Sequence, residues 1–273
     1  MTKPIRLVVS DVDGTLVDPD KTLRAATVAA VKRLEAAGVG FTIISARPRS
    51  GLGWLADELA IDAPIGAFNG GTVFRRDGSV DARFRVPVAV VNDVLVMAAD
   101  SPVAIWVFAD DRWYASSAEG THVEHERKAS AQEPVITQDF TALVDTVDKI
   151  TLVSDDAELL RGMHDRANDA HGGAATIAQS QTYYLDVTAL EANKGDGVAT
   201  LAKAFGVSLE EVAVLGDQAN DLPMLRRAGL PIVMANAPDA VREQISVHTR
   251  SNADDGVAYA IDTLIMPRIG VPS

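Results

Sequence analysis

The sequence predicts an α/β protein in which a parallel-sheet core is interrupted by an inserted domain of α+β type. Two observations favour this fold class. Short apolar runs alternate with amphipathic segments at both ends of the 273-residue chain, as buried parallel strands and their crossover helices require. Between about residues 72 and 188 the pattern changes to paired strands, which indicates an antiparallel sheet.

The N-terminal part of the core is predicted to alternate strands and helices. Residues 5–10 (IRLVVS) and 39–45 (VGFTIIS) are short, β-branched apolar runs, which are typical of strands buried on both faces. Residues 22–38 carry one apolar stripe, and Gly38 is a suitable residue to end a helix. A further helix and a third strand are expected at 50–60 and 64–68.

The middle of the chain shows the order helix, strand, strand twice. The predicted elements are a helix at 87–100 before strands at 103–108 and 112–116, and a helix at 155–171 before strands at 175–179 and 183–188. This order predicts an antiparallel sheet with helices on one face. We therefore expect an inserted α+β cap domain at 84–186 and a Rossmann-like core formed by 1–83 and 187–273.

The parallel pattern returns near residue 194. A helix is predicted to about residue 205, and SLEE at 208–211 matches a capping box. Residues 212–217 (VAVLGD) form an apolar strand that ends in an acid. Later strands are expected at 231–234 and 246–249, separated by a helix begun by Pro238.

Composition limits the possible partners. The formal net charge is −13, which argues against nucleic acid and anionic membranes as ligands. The chain has no cysteine, which excludes thiol catalysis and fits a reducing cytoplasm. The N-terminus lacks the architecture of a signal peptide. The longest apolar region, 86–109, is interrupted by polar residues and proline, so no membrane span is expected.

Polar residues follow several predicted strands, at the edge where ligands bind in parallel α/β sheets. Although about 200 residues separate the first of them from the last, the carboxyl ends of the strands would bring them together. These candidates are Asp11, Asp13, Ser45, Arg47, Lys194, Asp217, Asn220 and Asp221.

Several carboxylates at one place call for a hard divalent cation, and Mg²⁺ is the expected ion beside phosphate. Asp11 and Asp217 can ligate it directly. We expect alternation along the extended segment to send Asp13 to a different place from Asp11, so that the two can have separate roles. Gly14 allows the backbone to approach an anion. With Lys194 and Ser45 on phosphoryl oxygens, the set matches the needs of aspartyl-phosphate chemistry.

Each feature also has a structural interpretation. A lone DxD is common in turns, a lysine at a helix start is usually solvated, and Ser45 could be an ordinary cap. The combination of features at the correct strand ends favours chemistry. His122 and His125 are interpreted as part of a polar cap loop that could contact substrate, and Arg47 is the stronger candidate for that contact.

The sequence resembles the haloacid dehalogenase (HAD) superfamily of phosphatases, and within it the Cof-type branch with a class IIB cap. The resemblance spans almost the whole chain, although the cap matches by layout alone. Its motifs are DVDGT (11–15), IISAR (43–47), NKG (193–195), GDQAND (216–221) and MANAPDAVRE (234–243), with FNGG (68–71) as the loop at the rim of the site. The chain departs from the usual pattern at Ala46 and Gln218, where the family more often has glycine.

The resemblance implies a role for each residue. Asp11 would be the nucleophile, Asp13 the general acid and base, and Lys194 the third catalytic residue. Mg²⁺ would be held by Asp11, the backbone carbonyl of Asp13, and Asp217, with Asp221 in a supporting position. Phosphate and substrate would be bound by Gly14, Ser45, Arg47, Asn69 and Asn220.

The expected function is a Mg²⁺-dependent phosphatase that hydrolyses a small phosphorylated metabolite, such as a sugar phosphate, in the cytoplasm. A monomer or weak homodimer is expected. Two alternatives remain open: a phosphosugar mutase, which returns the phosphoryl group to the sugar, and a non-enzymatic sensor of phosphorylated metabolites. The presence of both Asp11 and Asp13 favours an enzyme.

Overall fold

A computed structural model describes residues 3–270 of the protein. Its strands, in chain order, are β1 (Leu7–Ser10), β2 (Gly40–Ile43), β3 (Ile65–Ala67), β4 (Thr72–Phe74), β5 (Val80–Arg83), β6 (Ala104–Ala109), β7 (Arg112–Ala115), β8 (Val135–Ile136), β9 (Val147–Val153), β10 (Ala175–Gln181), β11 (Tyr184–Ala189), β12 (Val212–Gly216) and β13 (Leu230–Val233).

The α-helices connect these strands and cover the sheets. In chain order they are α1 (Ala25–Ala36), α2 (Gly53–Glu58), α3 (Val88–Ala99), α4 (Thr121–Ser130), α5 (Ala157–His171), α6 (Lys194–Ala204), α7 (Leu222–Leu225), α8 (Asp239–Arg242) and α9 (Gly256–Ala260). Within residues 3–270, no helix combines the length and apolar character needed to cross a membrane.

The core is a parallel sheet in the order β13-β12-β1-β2. Val8 on the central strand β1 lies opposite Ala213 on β12 and Phe41 on β2. A single parallel bridge between Ile44 and Gly66 links β2 to β3, and β3 starts a small antiparallel sheet with β4 and β5. The predicted α/β fold class is confirmed.

Both faces of the core sheet are covered, as the continuous apolar strands predicted. Val8 packs in one apolar cluster with residues of α1 and α9, whereas Leu7 and Val9 pack in another with residues of α6 and α7. Alternate side chains of a strand point to opposite faces, so a strand between two helical layers must be apolar throughout. The polar side chains of the candidate site follow the carboxyl ends of these strands.

The inserted segment forms a second sheet in the order β10-β11-β9-β6-β7-β8. Its pairs are antiparallel, apart from a short parallel contact between β7 and β8. Helices α3 and α5 pack on one face, in an apolar cluster with Val107 of β6, Ile150 of β9 and Val187 of β11. The two predicted helices of the cap therefore share a face.

A third cap helix, α4, was not predicted. The segment that contains His122 and His125 was expected to be a polar loop, and the structure corrects this to a helix over Thr121–Ser130. Val123 packs with Trp106 and Tyr184, which lie on the face of the cap sheet opposite α3 and α5. Ser50 Oγ donates a hydrogen bond of 2.5 Å to the carbonyl of Ser130, so α4 contacts the core.

Two smaller predictions also differ from the structure. The helix expected at 50–60 is a 3₁₀ turn at Arg49–Gly51 followed by the short α2. The strand expected at 246–249 is reduced to one bridge between Val233 and His248. Both segments are short, and short segments are determined by tertiary contacts more than by local preference.

Candidate active site

Asp11 follows β1 directly and is buried. Lys194, the first residue of α6, donates from Nζ to Asp11 Oδ1 and to Asp221 Oδ1, each at 2.5 Å. Asn193 caps this helix by accepting a hydrogen bond from the backbone of Asp196, which fixes the position of Lys194. Burial alone would lower the pKa of Lys194, but the two carboxylates raise it above its ordinary value, so the ammonium stays charged.

Asp13 contacts partners different from those of Asp11, but the expected alternation of side chains is not the reason. Residues two apart in an extended strand share a face; the turn directly after β1, where the backbone N–H groups of Leu16 and Val17 donate to the carbonyl of Val12, gives the two carboxylates separate partners. Arg47 donates from Nε to Asp13 Oδ2 and from Nη2 to Asp13 Oδ1, both at 2.7 Å. Lys21 donates to the same Oδ1 at 2.7 Å. Burial alone would raise the pKa of Asp13, but Arg47 and Lys21 hold it well below its ordinary value. Asp13 is therefore an ionised carboxylate in this arrangement.

Asp221 organises the loop after β12. Its Oδ2 accepts hydrogen bonds from the backbone N–H groups of Asp217 and Gln218, each at 2.8 Å, while its Oδ1 accepts from Lys194. Thr15 donates to Asp217 Oδ1 at 3.1 Å. Both oxygens of Asp221 thus position neighbouring groups, which agrees with the supporting place expected for it.

Gly14 brings the backbone against this loop. Its φ of +82° is in the left-handed region that favours glycine. A Cβ atom at this position would lie 2.4 Å from Asp217 Oδ2, so a side chain here would displace the Asp217 carboxylate. Asn236 donates to the carbonyl of Gly14 at 2.8 Å and was not predicted as a site residue, although it lies in the quoted segment MANAPDAVRE.

Ser45 and Asn220 line a cavity above Asp11. Ser45 is buried, and its hydroxyl accepts a hydrogen bond of 3.2 Å from the backbone of Arg47. Asn69 connects the two: its N–H donates to the carbonyl of Ser45 at 2.7 Å, and its Oδ1 accepts from Asn220 Nδ2 at 3.4 Å. The φ of Asn69 is +58°, a conformation that asparagine adopts more readily than most residues.

The residues present suit a divalent cation. Within residues 3–270, the group of possible metal ligands is Asp11, Asp217 and Asp221, with one oxygen from each within 4.8 Å of the others. All three are buried, and Lys194 is the cation that contacts two of them. Burial, followed by the charge of Asp221, raises the pKa of Asp217 to about 6.

A bound cation would neutralise the excess negative charge of these carboxylates. Burial raises the pKa of Asp11 well above its ordinary value, with Lys194 opposing the shift, so the site carries more negative charge than its own cation neutralises. An all-oxygen donor set fits Mg²⁺. The carboxylate of Asp13 is engaged with Arg47 and Lys21, which leaves its backbone carbonyl for the metal-binding role that the family resemblance implies.

The cavity above these residues has a volume of about 150 Å³ and lies between the core and the cap. The core contributes the predicted residues Asp11, Asp13, Ser45, Arg47, Lys194 and Asn220, together with Lys21, Ala46 and Gln218. The cap contributes His125, Glu126, Ala129, Lys149, Thr151, Gln181, Tyr184 and Asp186. A space of this size suits a small molecule.

The structure separates the two histidines that were considered for substrate contact. His125 lines the cavity, whereas the ring of His122 stacks on Tyr183 at 4.0 Å and its Nε2 lies 2.7 Å from Asp155 Oδ1. Sequence reasoning missed the polar residues of β9 and β11. A signal for them was present in DKITLV and YLDVT, where polar residues alternate with apolar ones inside strands buried on both faces.

The geometry defines a class of protein. A carboxylate at the end of the central strand, a buried lysine beside it, a second carboxylate held apart and an acidic loop from β12 form a site built for phosphoryl transfer under an inserted cap.

The chain belongs to the haloacid dehalogenase-like hydrolases, whose family model matches residues 8–261. An HMP-PP phosphatase from Citrobacter koseri is 30% identical over 260 residues, which cover 91% of this chain and 92% of that protein. The predicted HAD superfamily membership is thereby confirmed, and the protein is a phosphatase of that family.

Solved structures agree with this placement. A haloacid dehalogenase-like hydrolase from Bacteroides thetaiotaomicron has a TM-score of 0.85 at 26% identity, over 94% of this chain and 98% of that one. A sugar phosphatase of HAD subclass IIB shares the fold with a TM-score of 0.81 at 22% identity, over 94% and 98% of the two chains. The chain therefore shares its overall fold with a HAD subclass IIB structure.

Proposed function

We propose that the protein is a Mg²⁺-dependent phosphatase that hydrolyses small phosphorylated metabolites, sugar phosphates or similar phosphomonoesters, through an aspartyl phosphate on Asp11. The observation that carries this proposal is the position of Asp11. Its carboxylate is buried, faces the cavity and is held by Lys194, while Asp13 lies on the same cavity with a separate set of partners.

In the first step an oxygen of Asp11 attacks phosphorus, the bond from phosphorus to the leaving oxygen breaks, and Asp13 supplies a proton to that oxygen. The ammonium of Lys194 lies beside Asp11 and offsets negative charge there during this step. The phosphoryl oxygens and the substrate are bound by Ser45, Arg47, Asn69, Asn220 and the backbone at Gly14.

In the second step water attacks the phosphorus of the aspartyl phosphate, Asp13 accepts a proton from that water, and the bond to Asp11 breaks to release inorganic phosphate. The ionised Asp13 is suited to this base role. For the first step it must carry a proton, which requires Arg47 or Lys21 to leave it. A phosphoryl group in the cavity supplies an alternative anionic partner for Arg47.

Mg²⁺ would be held by Asp11, Asp217 and the backbone carbonyl of Asp13, with Asp221 in support. When bound, it supplies positive charge that neutralises the phosphoryl oxygens. The buried carboxylates and their raised pKa values support this assignment.

The fold suggests separate roles for the inserted segment and the core. We assign residues 84–186 to a cap that selects the substrate, and residues 1–83 and 187–273 to a core that performs the chemistry. The small cavity between them supports this assignment. The relative named as an HMP-PP phosphatase and the fold neighbour named as a sugar phosphatase indicate two compound classes to test.

The test is a screen of the purified protein against HMP-PP, sugar phosphates and other phosphomonoesters, with Mg²⁺ and with excess EDTA. We expect inorganic phosphate as the product, with turnover lost in EDTA. An isomerised sugar phosphate would indicate a mutase, and binding of phosphorylated metabolites without turnover would indicate a sensor. Either result would overturn the proposal.

A further inference from the structure

The face of the cap sheet above the site carries charged residues. Thr151 of β9 lies opposite Asp186 of β11, and Lys149 lies two residues before Thr151 on the same face. The intervening residues Ile150 and Leu185 pack against α3 and α5. Lys149, Thr151 and Asp186 are each less than one-tenth exposed, so this polar face is buried and opens on the cavity.

Glu126 of α4 approaches the same space from the side. It is 7% exposed and lines the cavity. Among the residues that the structure describes, no hydrogen bond is formed by its carboxyl group, while its backbone carbonyl accepts from Ser130 Oγ. The carboxyl group of Glu126 therefore has hydrogen-bonding capacity available to a molecule in the cavity.

The polar residues near Glu126 use only part of their hydrogen-bonding capacity. Thr151 donates to Asp186 Oδ1 at 2.7 Å. Lys149 Nζ lies 3.8 Å from that oxygen, beyond hydrogen-bonding distance, and 4.8 Å from the centre of the Phe108 ring. A buried ammonium and a buried carboxyl group therefore retain free hydrogen-bonding capacity on one wall of the cavity.

We propose that Glu126, Lys149 and Asp186 form the subsite for the leaving group, and that this subsite selects an uncharged group with neighbouring hydrogen-bond donors, such as vicinal hydroxyls. The inference rests on the phosphatase function proposed above. It adds which chemical groups of the substrate the cap recognises. Carboxylates accept from such donors, and the Lys149 ammonium donates to an oxygen or nitrogen beside them.

The charge of this wall argues against a second anionic group on the substrate. One ammonium faces two carboxyl groups, so the wall has no excess positive charge. Burial raises the pKa of Glu126 to about 7, with Lys149 opposing the shift, so near neutral pH its carboxyl can accept or donate. A second phosphate or carboxylate would meet Asp186 without a dedicated cation, because Lys149 already lies beside that residue.

The experiment compares kcat/KM, with Mg²⁺, for four probes. They are hexose monophosphates, a monophosphate of an aminated heteroaromatic ring, a hexose bisphosphate, and p-nitrophenyl phosphate, whose leaving group has no hydrogen-bond donor. We expect a probe from the first two groups to have a higher kcat/KM than the bisphosphate. The probe with the highest kcat/KM identifies whether sugar hydroxyls or ring amino groups are the hydrogen-bond donors. Preference for the bisphosphate, or equal rates for all probes, would overturn the inference.

Variants then locate the subsite. Glu126→Met should lower kcat/KM for the preferred probe by roughly tenfold or more, chiefly through KM, while p-nitrophenyl phosphate changes by less than about twofold. Glu126→Gln keeps an acceptor and a donor and should recover most of the loss. Glu124→Gln, an exposed position on the same helix, is the matched control and should behave as wild type.

Two outcomes separate this inference from the proposed function. If p-nitrophenyl phosphate is hydrolysed but Glu126→Met lowers its rate as much as that of the preferred probe, Glu126 is structural and the inference is wrong while the function stands. If a folded wild-type protein releases no phosphate from any probe with Mg²⁺, the proposed function itself is wrong.

Discussion

Arg47 contacts Asp13 at two points, with Nε 2.7 Å from Oδ2 and Nη2 2.7 Å from Oδ1. The guanidinium is buried, and its remaining Nη1 donates to the carbonyl of Gly51 at 3.2 Å. This two-point contact sets the direction of the Asp13 carboxylate. A residue predicted as a substrate contact is thus also a positioning residue for the proposed acid and base.

The contrast between Arg47 and Lys21 is the first prediction. Arg47→Ala removes the buried two-point contact and should lower kcat roughly ten- to hundredfold, as expected for charge-assisted hydrogen bonds. Lys21→Met removes an exposed ion pair and should cost less than about fivefold. Steady-state kinetics of both variants against one substrate provide the measurement. Equal losses would show that the geometry of Asp13 does not depend on Arg47.

Lys194 provides the second prediction. Lys194→Met should lower kcat by about 2.7–4 kcal/mol in activation free energy, as for the loss of one donor to a developing negative charge. Because Asp11 and Asp221 would then be buried without their cation, the free energy of unfolding at neutral pH should fall by roughly 3–5 kcal/mol. Circular dichroism and urea unfolding measure the second effect. The control is Lys203→Met, an exposed position near the end of the same helix, and wild-type kcat in Lys194→Met would contradict the assigned role.

Removal of the metal is the third prediction. Excess EDTA should abolish phosphate release, Mg²⁺ should restore it, and Ca²⁺ should restore it poorly. Ca²⁺ takes more oxygen ligands at longer distances, so it would place the carboxylate of Asp11 differently with respect to a bound phosphoryl group. Phosphate release measured after dialysis and re-addition of each ion tests this, and full turnover in EDTA would exclude a metal from the reaction.

Asp148 provides the fourth prediction, on stability. Its side chain is 1% exposed, and within the described residues neither of its oxygens accepts a hydrogen bond, although Arg83 Nε lies 3.5 Å away. Burial raises its pKa from 3.8 to about 6, with Arg83 opposing the shift. Because the pKa of Asp148 is raised in the folded state, the contribution of this residue to stability is fully present below about pH 4 and is lost as pH rises through about 6.

Asp148→Asn removes the loss of stability that ionisation of Asp148 causes as pH rises. Because each pKa unit corresponds to about 1.4 kcal/mol, the variant should be more stable than wild type by up to about 3 kcal/mol above pH 7, with the difference shrinking as pH falls toward 4. Urea unfolding at several pH values measures it. Asp145→Asn, at an exposed position nearby, should show no such pH-dependent gain. A variant less stable than wild type at pH 8 would show that the ion pair with Arg83 outweighs burial.

Local patterns were sufficient to predict the core. The strands β1, β2 and β12 are short apolar runs that can only be buried, and the polar residues after them converge because parallel strands end at one edge. This is why Asp11, Lys194 and Asp217 could be placed together although about 200 residues separate them in the chain. The roles of these residues in catalysis remain predictions.

The cap side of the site depends on tertiary contacts. Helix α4 has a polar sequence in which few residues are buried, and its position depends on contacts such as that of Ser50 with Ser130. Without the helix, nothing in the sequence assigns Glu126 to the cavity. Lys21 lies in an exposed turn with a φ of +63°, and only the folded structure brings its ammonium to Asp13.

The last prediction concerns the separate roles of Asp11 and Asp13. Asp13→Asn cannot accept a proton from water, so hydrolysis of an aspartyl phosphate should slow greatly, and it cannot protonate an alcohol, so ordinary substrates should fail at the first step. An aryl or acyl phosphate has a good leaving group that needs this proton much less. With such a substrate the variant should phosphorylate Asp11 and then stop, because Lys194 and the carboxylate of Asp11 are unchanged.

Intact-protein mass spectrometry after acid quench should therefore show the addition of one phosphoryl group to Asp13→Asn, and peptide mapping should locate it at Asp11. Asp11→Asn is the control and should show no adduct. Both variants keep the side-chain volume at their positions, and comparison of their melting curves with wild type checks that the fold is intact. A label on serine or histidine would assign the nucleophile elsewhere. Wild-type turnover by Asp13→Asn would mean that Arg47 and Lys21 hold this carboxylate for a structural reason, since a residue essential for proton transfer cannot be replaced by an amide without loss of rate.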